Sequence, residues 1–192
     1  IDTDRTAPAE AARGAPGCAT VCNHGDLMNE ILILKAANVA ADWHSRQRRK
    51  GSSAEPYVNH LLEVAALVAE ADPGNTDLVI AALLHDSIED VKKNRADIAE
   101  IFGEHVAALV LEVTDDKALP KSERKRLQVE HAATISDKAK RVKLADKICN
   151  LTDVANSPPA DWSLERRREY FDWARQVIDR MRGVDAALEA AF

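Results

Sequence analysis

At 192 residues, with 46% hydrophobic and 30% charged side chains, the chain is long enough to bury one core and has an ordinary globular composition. No apolar run approaches the roughly 18 residues that span a bilayer, and a net charge of −6 argues against nucleic-acid binding through the whole surface. Three cysteines, Cys18, Cys22 and Cys149, are too few and of the wrong parity for a disulfide framework, which points to a reducing, cytoplasmic setting.

Residues 1–25 are rich in Ala, Pro and Gly without periodicity and are expected to be a disordered lead-in to one domain at 26–192. Within that lead-in Cys18, Cys22 and His24 offer three soft donors, fewer than a closed tetrahedral zinc site requires. Asp26 is placed to cap a helix that carries Leu27, Ile31, Leu34, Asn38 and Ala41 at helical spacing and runs to about Gln47. A turn through Gly51, Ser52, Ser53 and Pro56 leads to a second helix from near Asn59, with Leu62, Ala65, Ala66 and Ala69 as its apolar stripe. Asp72-Pro73-Gly74 breaks the chain, and Thr76 is expected to cap a third helix that reaches His85 and Asp86. A fourth helix from about Arg95 stops at Gly103, and residues 104–113 form a fifth. Pro120 is a break, Ser122 and Ser136 are candidate caps for two further helices, and the last helix is expected to run from Ser163 close to the end. No alternating strand pattern is present, so the fold class is all-α, one domain of about eight to ten helices.

The stretch Ala81-Ala82-Leu83-Leu84-His85-Asp86-Ser87-Ile88-Glu89-Asp90 concentrates the chemistry. On a continuous helix Glu89 stands one turn beyond His85, and Asp90 one turn beyond Asp86. An imidazole and three carboxylates in one small volume repel each other's charge unless a cation joins them. Two more donors are available. His60 stands at the start of the second helix, where a solvated histidine would be the plainer reading. Asp146 lies between Leu144, Ala145 and Ile148, an expensive place for an acid unless a metal, or Lys143 or Lys147, pairs it. Two imidazoles and two carboxylates suit an octahedral Mn²⁺ or Fe²⁺ with open positions better than a closed zinc site. Such a centre activates water against a phosphoryl group, with Glu89 and Asp90 placed to orient the water or move its proton.

His60, the pair His85-Asp86 and the distant Asp146 resemble the H…HD…D pattern of the HD superfamily. More narrowly the chain resembles the hydrolase half of the RelA/SpoT alarmone enzymes and the small stand-alone hydrolases that include the metazoan SpoT homologues. The resemblance runs in order through Arg48-Arg49-Lys50, Pro56 to His60, Ala81 to Asp90, Glu112 to Lys117, Leu119 to Glu130, Val142 to Leu151 and Glu169 to Trp173. It implies a Mn²⁺ centre at His60, His85, Asp86 and Asp146, with Fe²⁺, Co²⁺ or Zn²⁺ as substitutes, and Glu89 and Asp90 as the acid/base pair. It implies contacts from Arg49 and Lys50 to the base and phosphates, from Asn150 to the sugar, and from Lys121, Arg166 and Tyr170 to the phosphates. The reaction implied is removal of the 3′-pyrophosphate of guanosine tetra- or pentaphosphate, returning GDP or GTP. Leu61 stands where the family often has Pro after the first histidine, which affects only the helix start. No synthetase domain is expected after the last helix.

Two readings compete with alarmone hydrolysis. The same pocket would serve the adenosine alarmone or the 2′-phosphate of NADPH. A catalytically silent alarmone sensor would have lost a metal donor or the Glu-Asp pair, and all six residues are present.

Overall fold

The computed structural model describes residues 24–192 and, among these, ten α-helices, with no β-structure beyond one isolated bridge between Arg48 and Pro56. In chain order they are α1 (His24–Trp43), α2 (Val58–Ala71), α3 (Thr76–Leu84), α4 (Ser87–Val91), α5 (Arg95–Phe102), α6 (Glu104–Val113), α7 (Lys121–His131), α8 (Asp137–Asn156), α9 (Leu164–Asp179) and α10 (Ala186–Ala191). The expected lead-in lies outside the described residues except for His24 and Gly25, which open α1; Cys18 and Cys22 lie outside them too.

α3 is the centre of the larger core. Every residue from Leu78 to Leu84 is buried, as expected for a helix that is apolar all round. It packs against α1, α2, α6 and α8. Ala36 and Ala40 of α1, Leu61, Val64 and Val68 of α2, Val106 and Val110 of α6, and Val142 and Ala145 of α8 surround it. Each Leu or Val buried there contributes about 1.5–3 kcal/mol. Leu61, the departure from the family pattern, is fully enclosed in this core. A smaller cluster joins Ala132, Leu144, Val177, Ile178, Met181 and Leu188 and holds α8 to α9 and α10.

The helix ends differ from expectation in six places. α1 starts two residues before Asp26 and stops at Trp43, where His44 to Arg46 turn away. Asn75, not Thr76, caps α3: its side chain accepts the Leu78 N–H at 3.3 Å. α3 ends at Leu84, so His85 and Asp86 form a turn, and Glu89 and Asp90 belong to the separate α4. Asp86 has φ −96° and ψ 0°, the sparsely populated bridge region where active-site residues often sit. Pro120, not Ser122, precedes α7, and its fixed φ suits a helix entrance. The final helix is interrupted after α9: Gly183, at φ 89°, turns the chain, and Asp185 caps α10. Gly103 and the caps Ser136 and Ser163 stand where expected.

The loop from His44 to Pro56 is folded back on itself by Arg49 N–H to Glu55 O (2.9 Å) and Tyr57 N–H to Gln47 O (3.2 Å). Gly51 lets it lie against the end of α8, since a β-carbon there would come within 2.8 Å of the Ser157 carbonyl oxygen. That close approach sets Arg49 against the face of α8 carrying Asn150 and Asp153.

Candidate active site

Three separate elements meet at one corner. His60 comes from the first turn of α2, His85 and Asp86 from the turn after α3, and Asp146 from the middle of α8. His85 Nε2 lies 3.1 Å from Asp86 Oδ2 and 3.6 Å from Asp146 Oδ1, and His60 Nε2 lies 3.2 Å from Asp146 Oδ1 and 4.0 Å from Asp86 Oδ2. Donors about 2.1 Å from one ion and at right angles to each other are separated by about 3 Å, so these spacings suit a shared cation. The ring nitrogens support that test. Nε2 of both histidines is buried and makes no hydrogen bond, although carboxylates are near. His85 Nδ1 lies 2.8 Å from the Ala82 carbonyl; a carbonyl only accepts, so Nδ1 carries the proton and Nε2 presents its lone pair to the corner.

The carboxylates are held from behind. Tyr57 Oη donates to Asp86 Oδ2 at 2.6 Å, and burial, then the charge of Asp86, raises its pKa, so it stays a phenol and a donor. Asn150 Nδ2 donates to Asp146 Oδ1 at 2.5 Å, and Lys147 Nζ to Asp146 Oδ2 at 3.0 Å. Burial opposes the charge on Lys147, yet Asp146 raises its pKa on balance. Of the two explanations open for Asp146, pairing by Lys147 is seen at one oxygen, while the other oxygen faces the imidazoles. Burial likewise opposes protonation of His85, but Asp86 and Asp146 raise its pKa well above the ordinary value. The corner demands positive charge, whether from a proton or a metal ion.

Glu89 and Asp90 stand beside the corner in unequal surroundings. Asp90 is ion-paired to Lys117 and accepts a hydrogen bond from Gln47. Glu89 is held more loosely: Oε2 accepts the Asp115 N–H at 3.4 Å, while Arg124 and Lys117 stand 3.6 and 3.7 Å from Oε1. Burial first, then the charges of Asp115 and Asp86, pushes the Glu89 pKa up to about 7. A carboxyl so poised exchanges a proton near neutral pH.

These groups border a cavity of ≈ 480 Å³ lined by nine cationic and six anionic side chains. The excess of cations, in a chain of net charge −6, makes this a local anion site. Lys121, Arg124 and Lys125 reach it from α7, Lys143 and Lys147 from α8, and Arg49 and Lys50 from the folded-back loop. Burial, then the charges of Arg166, Lys50 and Arg124, lowers the pKa of Lys121; burial and Lys121 do the same to Lys125. Cations that crowd one another in this way are relieved by a polyanion. Arg49 donates through Nε to Asp153 (2.9 Å) and through Nη2 to Asn150 Oδ1 (3.0 Å), and lies 5.5 Å from the centre of the Tyr57 ring. Asn150 thus bridges Asp146 and Arg49.

Of the residues singled out from the sequence, Arg49, Lys50, His85, Asp86, Glu89, Asp90, Lys121, Asp146, Asn150 and Tyr170 line this cavity; His60 does not, but is buried 3.2 Å from the lining Asp146. Arg166 does not. It belongs to an adjoining cleft with Lys121, Lys125 and Tyr170, stacks 4.6 Å over Trp162, and lies 3.4 Å from Asp161. The residues missed are Tyr57, Lys117, Arg124 and Lys125, together with Trp162 and Trp173, which wall the cavity on either side of Tyr170, their ring centres 5.3 and 5.4 Å from its own. The 121/124/125 spacing on one helix face was a usable signal; nothing local pointed to Lys117 or Tyr57.

The helical core with a His-Asp corner at the end of a buried helix is the architecture of the HD domain, whose family model matches residues 36–172. The chain belongs to the HD domain family. Within it, the chain is 51% identical over 160 residues to the guanosine-3′,5′-bis(diphosphate) 3′-pyrophosphohydrolase MESH1 of Xenopus tropicalis, a match that spans 82% of this chain and 89% of the relative. The Homo sapiens protein of the same name is 48% identical over 162 residues, 83% of this chain and 90% of its own. A solved structure described as a metazoan ortholog of SpoT that hydrolyzes ppGpp superimposes with a TM-score of 0.81 at 45% identity, over 83% of this chain and 90% of that one. No helix among the described residues is long and apolar enough to cross a membrane.

Proposed function

We propose that this chain is a metal-dependent guanosine-3′,5′-bis(diphosphate) 3′-pyrophosphohydrolase working as one domain over 26–192 in a reducing cytoplasm. The observation that carries the reading is the meeting of His60, His85, Asp86 and Asp146 beside Glu89 and Asp90, on the floor of a cation-walled cavity. These four residues would hold one divalent ion, and their mixed nitrogen and oxygen donors favour Mn²⁺. When bound, that ion would acidify a water and offset charge on the phosphoryl oxygens.

The chain's own groups do the rest. Lys121, Lys125 and Arg124 receive the 3′-pyrophosphate, with Tyr170 closing that side. Arg49 stacks on the base over Tyr57, Lys50 faces the 5′-phosphates, and Asn150 orients the ribose. Glu89 takes a proton from the attacking water, whose oxygen bonds to the phosphorus as the ribose 3′-oxygen departs, and Asp90 relays the proton of its partner Lys117 to that departing oxygen. GDP or GTP and pyrophosphate are the products. Arg166, in the adjoining cleft, steers the incoming anion toward Lys121.

Product analysis with guanosine alarmone, adenosine alarmone and NADPH, each with Mn²⁺ and with chelator, tests this. Chelator-sensitive release of pyrophosphate and GDP from the guanosine compound is the expected result. Release only of inorganic phosphate from NADPH, or turnover of the adenosine compound alone, would replace the substrate assignment while keeping the site. Arg49→Ala is expected to raise KM about tenfold, the loss of roughly one charge-assisted hydrogen bond or stacking contact, with bound Mn²⁺ unchanged; an unaltered KM would remove Arg49 from the nucleotide pocket.

A further inference from the structure

His60 is 1% exposed, and its Nδ1 is buried without a hydrogen-bond partner among the described residues. Its companion His85 meets the same need through the Ala82 carbonyl, 2.8 Å from Nδ1. When Nε2 ligates a metal ion, the proton of the neutral ring sits on Nδ1, where an unpaired N–H is costly; without an ion, Nε2–H would face Asp146 Oδ1, 3.2 Å away. One group of acceptors is within reach. A ring nitrogen of His60, a carboxylate oxygen of Glu63 and Sγ of Cys149 all lie within 4.8 Å of one another. Glu63 follows His60 by three residues on α2, so it shares that face; Cys149 follows Asp146 by three residues on α8, which packs against α2. Glu63 is exposed, so its rotamer is not locked by packing. Cys149 is 6% exposed, and burial, then the nearby Glu63 charge, pushes its thiol up to about 12. It therefore remains a neutral S–H, a weak donor to a carboxylate and a poor competitor for the imidazole proton.

We propose that Glu63 is the positioning residue of the metal centre: its carboxylate accepts the Nδ1–H of His60, steadied by the Cys149 thiol. The consequences are a fixed tautomer, a fixed ring plane and a more basic Nε2. The inference rests on His60 being a metal donor.

Mn²⁺ titration of the metal-stripped full chain, read by the spectroscopic signal of free Mn²⁺, tests it on wild type, Glu63→Ala, Glu63→Gln, Cys149→Ala and Asp146→Asn. Glu63→Ala is expected to weaken Mn²⁺ about 10- to 100-fold, the usual effect of removing an outer partner of a ligating histidine. Glu63→Gln, which keeps an acceptor oxygen, should recover most of that loss. Cys149→Ala should cost less than about threefold, the share of a weak S–H donor. The melting temperature of the metal-stripped Glu63→Ala chain should match wild type, which separates positioning from a purely structural role. Wild-type affinity in Glu63→Ala, with Asp146→Asn impaired, overturns the role of Glu63 and leaves the metal centre standing. Failure of wild type to bind Mn²⁺ at all overturns both.

Discussion

Asp146→Ala is expected to abolish turnover, by about three decades or more, and to leave the purified protein without a stoichiometric metal ion. The size follows from the several kcal/mol that a bound cation contributes to a phosphoryl transition state, at about 1.4 kcal/mol per decade. Asp146 Oδ1 lies within 3.6 Å of Nε2 of both histidines, and among the described residues Asp86 is the other carboxylate within 4.0 Å of those atoms. The same change strips Lys147, 5% exposed, of its carboxylate. Breaking a buried pair on one side costs about 3–5 kcal/mol, so the Ala variant is also expected to melt earlier. Asp146→Asn keeps an acceptor for Lys147 and Asn150 while removing the charge. It should fold, yet still lose metal and activity. Metal content by elemental analysis beside a turnover assay is the check, and an Asn variant with normal values for both would take Asp146 out of the donor set.

Glu89→Gln is expected to slow turnover by about 10²- to 10⁴-fold while retaining the ion, the span attributed to a general base or acid. Because burial and the charges of Asp115 and Asp86 push the Glu89 carboxyl up to about 7, a base in that place is ionised only above that pH. The wild-type kcat/KM should rise with pH through about 7 and level off, and this limb should vanish in the variant. For stability the sign is reversed. A raised carboxyl pKa contributes stability that is fully present below the ordinary value of 4.5 and is lost as pH rises through about 7. In the metal-stripped protein, Glu89→Gln should therefore gain stability relative to wild type as the pH is taken from 5 to 9. A pH–rate profile with an unchanged lower limb would shift the base assignment to Asp90.

Much of the site is legible in the residues because its parts sit inside short segments with strong local grammar. A small apolar turn ending in His85-Asp86, and an acid set among Leu144, Ala145 and Ile148, are anomalies that periodicity exposes. Asn150, one turn after Asp146, is readable by the same rule, and the structure places its amide on Asp146 Oδ1. The His85-Asp86 turn was not readable. Its residues are compatible with a continuing helix, and the separation of α3 from α4 reflects Asp86 being drawn toward Tyr57 and the two imidazoles. Lys117, in the turn between α6 and α7, was equally silent, since its partners Glu89 and Asp90 lie more than twenty-five residues away in α4. A basic run on a helix does not say which face meets which cleft, and here Trp162 and Asp161 hold Arg166 in the cleft beside the main cavity.

The residues by themselves determined an all-helical chain, most of its breaks and caps, and the donor types from which a metal centre is made, because helical period and turn chemistry act within a few residues. Only the tertiary structure decided that α2, α3 and α8 bring those donors to one point, and which cations wall the cavity above it. That outcome depends on how the apolar stretch Leu78–Leu84 of α3 is enclosed by its neighbours and on ion pairs across more than a hundred residues, such as Arg49 with Asp153. Neither leaves a periodic trace in the chain.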